Sequence, residues 1–190
     1  MQILKSEIRK SILNESLTLF YVRGFEKAST RDIAKKVNIS VSNLYKYFEN
    51  KEAIFEAIVQ DYYISYKNEL SKFLSHENEE TFNEDRITLL TNSIFKSIKG
   101  QYKKFVILMN KSNGTKYSDF KNEVIAKLEQ HIREGIKDSD KGEFIITIYA
   151  RNFFYGIVEI ADNYINDKWA YHNIYLLVKY HMTGISVLYK

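Results

Sequence analysis

No proline interrupts this chain of 190 residues, and that absence is the strongest constraint on its fold. Proline breaks helices and marks the turns of sandwiches and barrels, so a chain without it can form long helices. Cysteine is absent as well. Disulfides and thiol catalysis are therefore excluded, and the composition fits a reducing compartment.

Apolar residues recur at helical spacing along most of the chain, which predicts an all-α fold of about nine helices. Two short helices and the start of a third fall within residues 29–51. The other predicted helices cover residues 5–22, 51–73, 85–99, 102–109, 117–137, 143–166 and 171–188. A polar linker at 76–84 and a loop at 138–142 separate them. Asn113-Gly114 is a turn signal, but the flanking segments lack the alternation of strands.

Capping residues divide the stretch from 29 to 51, STRDIAKKVNISVSNLYKYFENK, into its helices. Ser29 is a candidate N-cap, and Asp32 three positions later resembles the second member of a capping box. Asn38 stands where the chain must turn, because Asn tolerates the left-handed conformation. Ser40 and Asn50 are candidate caps of the next two helices.

The second helix of this stretch has one apolar and one polar side. Leu44 and Phe48, four positions apart, are expected to anchor it to the core. Other faces then carry small polar, basic and aromatic residues, which are Ser42, Asn43, Tyr45, Lys46 and Tyr47. A helix held on one side, with small polar side chains on the other, suits the major groove of DNA.

Positive charge is concentrated in the same part of the chain. Residues 1–51 contain ten Lys or Arg and five Asp or Glu, whereas residues 52–190 contain 18 and 19. This distribution matches an electrostatic footprint for phosphates, although an ordinary solvated basic face would produce it too. Together with the two-helix pattern, it favours DNA as the partner.

The pattern resembles the DNA-binding domain of the TetR-type (tetracycline-repressor-like) family of bacterial transcriptional regulators. The resemblance covers residues 8–55, and its clearest pieces are Gly24-Phe25, residues 29–34, 37–40 and 44–53. It implies a three-helix DNA-binding domain at residues 1–50 and an effector-binding and dimerisation domain at 51–190. It also implies a homodimer that binds a palindromic operator, as a repressor released by a small effector.

Candidate DNA-binding residues follow from the helical faces and from this resemblance. We expect contacts with phosphates from Tyr45, Tyr47, Lys46, Lys51 and Thr30. We expect contacts with base edges from Ser42 and Asn43. Helical spacing places Val41 in the core, whereas the resemblance places it at a position that faces the DNA groove. The full predicted set is Thr30, Arg31, Val41, Ser42, Asn43, Tyr45, Lys46, Tyr47 and Lys51. Asn38 and Asn43 depart from the glycine and threonine common in the family.

The last two predicted helices are the most apolar, and residues 143–188 are expected to form the dimer interface. Their apolar arc is too wide for a single neighbour, and two copies would make an isologous four-helix contact. The alternative is that both helices are core. Gly156 is expected to mark a close helix approach, and a charge at Phe154 or Ile157 to yield monomers or insoluble protein.

The resemblance also implies an effector cavity in the C-terminal domain. Aromatic side chains at helical spacing suit an apolar effector, although such residues are more often core. The candidate lining residues are Tyr62, Tyr66, Phe95, Tyr102, Phe105, Met109, Phe120, Tyr149, Asn152 and Phe153.

The remaining motifs favour no catalytic function. The four histidines lack close metal-ligand spacing, and we expect no metal, no cofactor and no enzyme activity. The N-terminus lacks the apolar core of a signal peptide. The sequence contains no stretch of about 18 uncharged apolar residues, so we expect no membrane span. We therefore expect a cytoplasmic protein. The alternative to a ligand-responsive repressor is a helical, DNA-associated interaction protein without a small-molecule inducer.

Overall fold

The computed structural model describes residues 2–74, 83–135 and 143–186. Within these ranges it contains nine α-helices and no strand, which confirms the all-α prediction. The helices are α1 (Gln2–Lys27), α2 (Thr30–Lys36), α3 (Val41–Leu44), α4 (Lys51–Leu74), α5 (Glu84–Ile98), α6 (Tyr102–Asn110), α7 (Phe120–Gly135), α8 (Glu143–Asp162) and α9 (Asp167–Ile185). The predicted loop at 138–142 and most of the predicted linker at 76–84 lie outside the described residues.

Side-chain caps explain where two helices begin differently from prediction. The α9 helix begins at Asp167 rather than at 171, because the side chain of Asn166 accepts a hydrogen bond from Trp169 N at 2.9 Å. The α7 helix begins at Phe120 rather than at 117. The hydroxyl of Thr115 accepts from Tyr117 N at 3.1 Å, which holds the preceding residues in a turn.

The chain divides into two compact units. Met1–Ser65 and Lys103–Phe120 form the first unit, and Tyr66–Tyr102 and Lys121–Lys190 form the second. The first unit therefore includes a segment from the middle of the chain as well as the N-terminal helices. The predicted functional division at residue 50, into DNA-binding and effector domains, stays a prediction.

Aromatic rings fill the centre of the first unit. Phe55 of α4 packs edge-on against Phe20 and Phe25 of α1, with centroids 5.3 Å away in each case. Tyr117 lies on the other side of Phe55 at 6.0 Å. Ile12 of α1 and Ile33 of α2 are also fully buried in this unit, where α1 packs against α2. The N-terminal helices therefore share one core with residues 115–120.

In the second unit, α9 packs against both α5 and α8. At one end of the α5–α9 pair, Glu84 accepts hydrogen bonds from the hydroxyl of Tyr175 and from Lys179. At the other end, Lys99 pairs with Asp167 at 3.0 Å. These contacts hold both ends of α5 against α9.

Close contact between α8 and α9 depends on Gly156. A Cβ at this position would lie 2.7 Å from Cδ2 of Leu177. The expected close helix approach is therefore present within one chain. Phe154 and Ile157 are buried at 3% and 7% exposure, so the structure places both residues in the core of their own chain.

Within the described residues, one stretch is long and apolar enough to cross a membrane by length and composition alone, which is Phe144–Asp162 with a mean hydropathy of 1.3. Core helices of soluble proteins pass the same test, so it is weak evidence. The stretch is not uncharged, since it contains Arg151 and Glu159. Arg151 pairs with Glu129 of α7 at 3.8 Å.

Candidate DNA-binding site

All three predicted caps around α2 and α3 are present. Ser29 Oγ accepts a hydrogen bond from Asp32 N at 3.1 Å and donates to Asp32 Oδ2 at 2.7 Å. Ser40 Oγ accepts from Asn43 N at 3.1 Å. Asn50 Oδ1 accepts from Ala53 N at 2.8 Å in the first turn of α4. These three side chains therefore determine where α2, α3 and α4 begin.

The turn between α2 and α3 requires a left-handed residue, and Asn38 supplies it with a φ of 59°. It is the one non-glycine residue with positive φ in the described chain. Beyond it, Ile39 N donates to Ala34 O at 3.0 Å and closes the turn. Asn at this position therefore preserves the backbone geometry that a glycine would give.

The apolar side of α3 is anchored as predicted. Leu44 is fully buried and Phe48 is 6% exposed. The guanidinium of Arg9 in α1 lies 4.9 Å from the centre of the Phe48 ring. Val41 is half-buried, so its side chain contributes to packing and also reaches the surface. The regular α-helix ends at Leu44, and residues 45–47 continue as turns.

The other side of α3 presents the residue types that read DNA. Ser42 and Lys46 are exposed, and Asn43, whose backbone N–H donates to the Ser40 cap, is half-buried. Tyr45 is 48% exposed, which is a large fraction for an aromatic side chain. Tyr47 is half-buried at the flank.

Two predicted phosphate ligands from different helices lie side by side. The hydroxyls of Thr30, the first residue of α2, and Tyr45, just after α3, are 3.4 Å from each other. Two hydroxyls at this distance can donate to oxygens of one phosphate group. The backbone N–H groups at the start of α2 add partial positive charge beside them. Arg31 is exposed at the next position.

Arg23, which sequence reasoning did not select, supports the start of α2. Its Nη1 lies 3.3 Å from Asp32 Oδ2. The hydrogen bond from the Ser29 hydroxyl, assisted by the charge of Arg23, holds the pKa of the Asp32 carboxyl below its usual range. No periodic pattern connects positions 23 and 32, so only the fold reveals this pair.

Lys51 occupies an unexpected environment. Its Nζ donates to the carbonyl oxygens of Phe25 at 2.7 Å, Ala28 at 2.9 Å and Glu26 at 3.5 Å. It also lies 4.1 Å from the centre of the Phe25 ring. Partial burial lowers the pKa of this ammonium group. The predicted phosphate contact of Lys51 stays a prediction.

The candidate effector residues are distributed over both compact units. Tyr62, Phe105, Met109 and Phe120 lie in the first unit, each no more than 8% exposed. The other six candidates lie in the second unit: Tyr66, Phe95, Tyr102, Tyr149, Asn152 and Phe153. Their role in effector binding stays a prediction.

Several of these aromatic side chains already have ring partners within the second unit. Phe95 packs edge-on against Tyr171 at 5.4 Å, and Tyr102 stacks on Tyr164 at 4.6 Å. Phe153 stacks on His181 at 4.1 Å, and burial lowers the pKa of that imidazole to about 4. Asn152 is exposed. In this structure these rings contribute to the packing of the unit.

A surface cleft of about 280 Å³ lies in the first unit and contains none of the ten effector candidates. It is lined by residues 22–27 together with Asn110, Lys111 and Asn113. The cleft therefore lies beside the junction of α1 and α2.

The family model for bacterial regulatory proteins of the tetR family matches residues 12–58. The chain is 38% identical over 72 residues to the uncharacterized HTH-type transcriptional regulator YdgC of Bacillus subtilis, covering 38% of this chain and 36% of YdgC. It is 23% identical over 192 residues to IcaR of Staphylococcus epidermidis, a negative transcriptional regulator of the biofilm operon icaADBC. That match covers 89% of this chain and 99% of IcaR.

Among solved structures, the fold resembles that of FadR from Bacillus subtilis, a transcriptional regulator crystallised with stearoyl-CoA. The TM-score is 0.54 at 15% identity, over 93% of this chain and 96% of FadR. This likeness concerns the fold, whereas the family match covers the capped helices described above. Residues 12–58 therefore match the DNA-binding domain of the tetR family, and the comparisons support a TetR-type transcriptional regulator.

Proposed function

We propose that this regulator is a repressor that binds a palindromic operator as a homodimer and is released by a small lipophilic effector. The observation that carries the proposal is the surface formed by α2 and α3. There, the Thr30 and Tyr45 hydroxyls lie 3.4 Å apart beside exposed Ser42 and Lys46. Repression is supported by the likeness to IcaR, whose name describes a negative regulator. The cytoplasm is the proposed location because the chromosome is there.

Each group on this surface has a distinct proposed task. Thr30 and Tyr45 donate to one phosphate, while Lys46, Arg31 and Tyr47 contact neighbouring phosphates. These contacts set the position of α3 in the major groove. Ser42 and Asn43 then read base edges, since Asn pairs with adenine through two hydrogen bonds. Val41, half-buried, contacts a thymine methyl group.

Dimerisation is proposed through α8 and α9. Although Phe154 and Ile157 face the core, other apolar residues on these helices are exposed. Phe144 is 77% exposed and Tyr155 46% on α8, and Leu176 is 48% and Tyr180 72% on α9. A second copy would cover this apolar surface through an isologous contact. The two DNA-binding surfaces would then lie at half-sites about 34–36 Å apart, or a multiple of that distance.

The proposed effector is lipophilic, as in the FadR complex with stearoyl-CoA. It must bind the DNA-free state more tightly than the DNA-bound state, because a ligand with equal affinity for both shifts nothing. The ring packing of Phe95, Tyr102 and Phe153 instead favours the alternative function, DNA binding without a small-molecule inducer. A thermal-shift screen of acyl-CoA and other lipophilic compounds decides between them. A true inducer stabilises the protein and weakens operator binding by the same coupling factor.

Fluorescence anisotropy with operator DNA tests the contacts. Tyr45→Phe should weaken binding to all sequences, and Asn43→Ala should relax preference at one base position, by about 1–3 kcal/mol. Lys46→Ala should lower the slope of log affinity against log salt concentration by about one unit. The control is Lys127→Ala, since Lys127 is an exposed residue of α7, outside the proposed DNA-binding and dimer surfaces. If Asn43→Ala and Lys46→Ala bind as the wild type does, the proposed surface is not the one that binds DNA.

A further inference from the structure

The turn that connects α1 to α2 is held by two lysines from elsewhere in the chain. Gly24 leaves helical geometry with a φ of 78° and a ψ of 165°, although hydrogen bonding resumes over residues 25–27. The break creates two helix ends in quick succession. Carbonyl groups at helix ends lack intrahelical donors, and the helix dipole makes them favourable sites for cations.

Lys111, at the end of α6, bridges the two sides of the break. Its backbone carbonyl accepts a hydrogen bond from Phe25 N at 3.0 Å. Its Nζ donates to Tyr21 O at 2.7 Å and lies 4.7 Å from the centre of the Tyr21 ring. One residue therefore binds the chain both before and after Gly24, from a position 90 residues away in sequence.

Lys51 holds the second helix end. Its three carbonyl partners, in Phe25, Glu26 and Ala28, belong to the residues that follow the break. An ammonium group has three N–H donors, and three carbonyls surround this one. The last partner, Ala28, directly precedes Ser29, the N-cap of α2.

We propose that Lys111 and Lys51 are positioning residues for DNA binding, which fix the Gly24–Ala28 turn and thereby the direction of α2 without touching DNA. This inference deepens the proposed function and rests on it. It follows that Lys111, which follows α6 and shares the compact unit of α1 to α3, is part of the DNA-binding machinery. The ammonium groups of Lys111 and Lys51 act on the start of α2, and α2 in turn packs against α3.

Salt dependence separates a positioning lysine from one that contacts phosphate. Each phosphate neutralised by the protein releases counterions and contributes about one unit to the salt slope. A lysine that only shapes the protein changes the affinity at every salt concentration by the same factor. Lys111→Met and Lys51→Met keep the apolar part of each side chain and remove the ammonium group, so the slope reports on the charge alone.

The experiment measures wild-type and variant affinity for a duplex selected from a random library, by anisotropy at a series of KCl concentrations. Loss of charged hydrogen bonds should weaken binding about tenfold for each variant, with an unchanged slope. Lys111→Arg should restore part of the affinity. The matched control is Lys103→Met, because Lys103 also lies on α6 with its Nζ 5.8 Å from the centre of the Tyr21 ring. It should bind within about twofold of the wild type.

Three outcomes overturn the inference: a slope lowered by about one unit in Lys51→Met or Lys111→Met, unchanged affinity in both variants, or an equal loss in Lys103→Met. If Lys111→Met fails to fold, hydrogen exchange of the wild-type protein takes its place. The Phe25 amide should be protected by Lys111 O, and rapid exchange there would contradict the proposal. Failure of the wild type to bind any duplex is a different result, which refutes the proposed function itself.

Discussion

Gly156 of α8 faces Leu177 of α9 so closely that an added Cβ would lie 2.7 Å from Cδ2 and 3.0 Å from Cδ1 of that leucine. Alanine favours a helix over glycine by about 1 kcal/mol. Overpacking at a close contact costs about 1–3 kcal/mol. Leu177 Cγ would lie at an ordinary contact distance of 3.5 Å, so the two methyl groups of Leu177 are the atoms that must move. We predict that Gly156→Ala lowers the free energy of unfolding by about 1 kcal/mol.

Urea unfolding of a double-mutant cycle checks this account. In a Leu177→Ala background the obstruction is gone, and Gly156→Ala should then stabilise the protein by up to about 1 kcal/mol. Additive effects of the two substitutions would show that the contact does not limit the packing of α8 on α9.

The turn before α3 depends on Asn38, whose φ is 59°. An alanine in this conformation costs about 1–2 kcal/mol because its Cβ approaches the following carbonyl oxygen. Glycine has no such cost. We predict that Asn38→Ala lowers the midpoint of thermal unfolding and that Asn38→Gly does not. Equal unfolding midpoints for the two variants would show that the turn does not require a left-handed backbone conformation at position 38.

Stability should depend on pH through Glu84. The hydrogen bond from the Tyr175 hydroxyl, with Lys179 assisting, holds the pKa of the Glu84 carboxyl below its usual range. Since the folded pKa is the lower one, the stabilising contribution is present at neutral pH and is lost as pH falls below about 4. Tyr175→Phe should therefore destabilise the protein at pH 7 but have little effect near pH 3.

Urea unfolding at the two pH values measures this difference. Asp167 provides an internal comparison. The hydroxyl of Tyr164 and the ammonium of Lys99 lower the pKa of Asp167 in the same way, so Asp167→Asn should show the same pH dependence. A Tyr175→Phe effect of equal size at both pH values would show that Tyr175 acts through packing alone.

The proposed dimer interface predicts opposite results for exposed and buried residues of α8 and α9. Tyr180 is 72% exposed, so Tyr180→Asp should leave the chain folded and shift it to monomers in sedimentation. Phe154 is 3% exposed, and Phe154→Asp should lower stability instead, because it buries a charge without a partner. If the Tyr180→Asp protein sediments as the wild type does, Tyr180 is not part of the dimer interface.

Local signals in the sequence predicted the DNA-binding helices well. Ser29, Ser40 and Asn50 act on residues three positions away, and Asn38 determines its own backbone conformation, so neighbouring residues contain the necessary information. The same holds for Leu44 and Phe48, which lie on one side of a single helical turn. The all-α fold likewise followed from helical periodicity and the absence of proline.

Long-range contacts were beyond sequence reasoning. Nothing near Lys51 in sequence shows that the carbonyls of Phe25 and Ala28 surround its ammonium group, and its phosphate contact stays a prediction. Lys111 reaches Tyr21 across 90 positions. The sequence also left open whether Phe154 lies in an interface or in the core, and the structure places it in the core at 3% exposure. Periodicity shows that a helix is apolar on several sides but not which side its own chain covers.

The most direct test of the central claim is selection of duplex DNA from a random-sequence library by the wild-type protein, followed by anisotropy on the enriched site. The account predicts an inverted repeat whose half-site centres lie about one helical turn apart, or a multiple of it. It also predicts binding as a dimer and a loss of affinity in Tyr45→Phe. Enrichment of no sequence at any salt concentration, or equal affinity for the selected and a scrambled duplex, would contradict it.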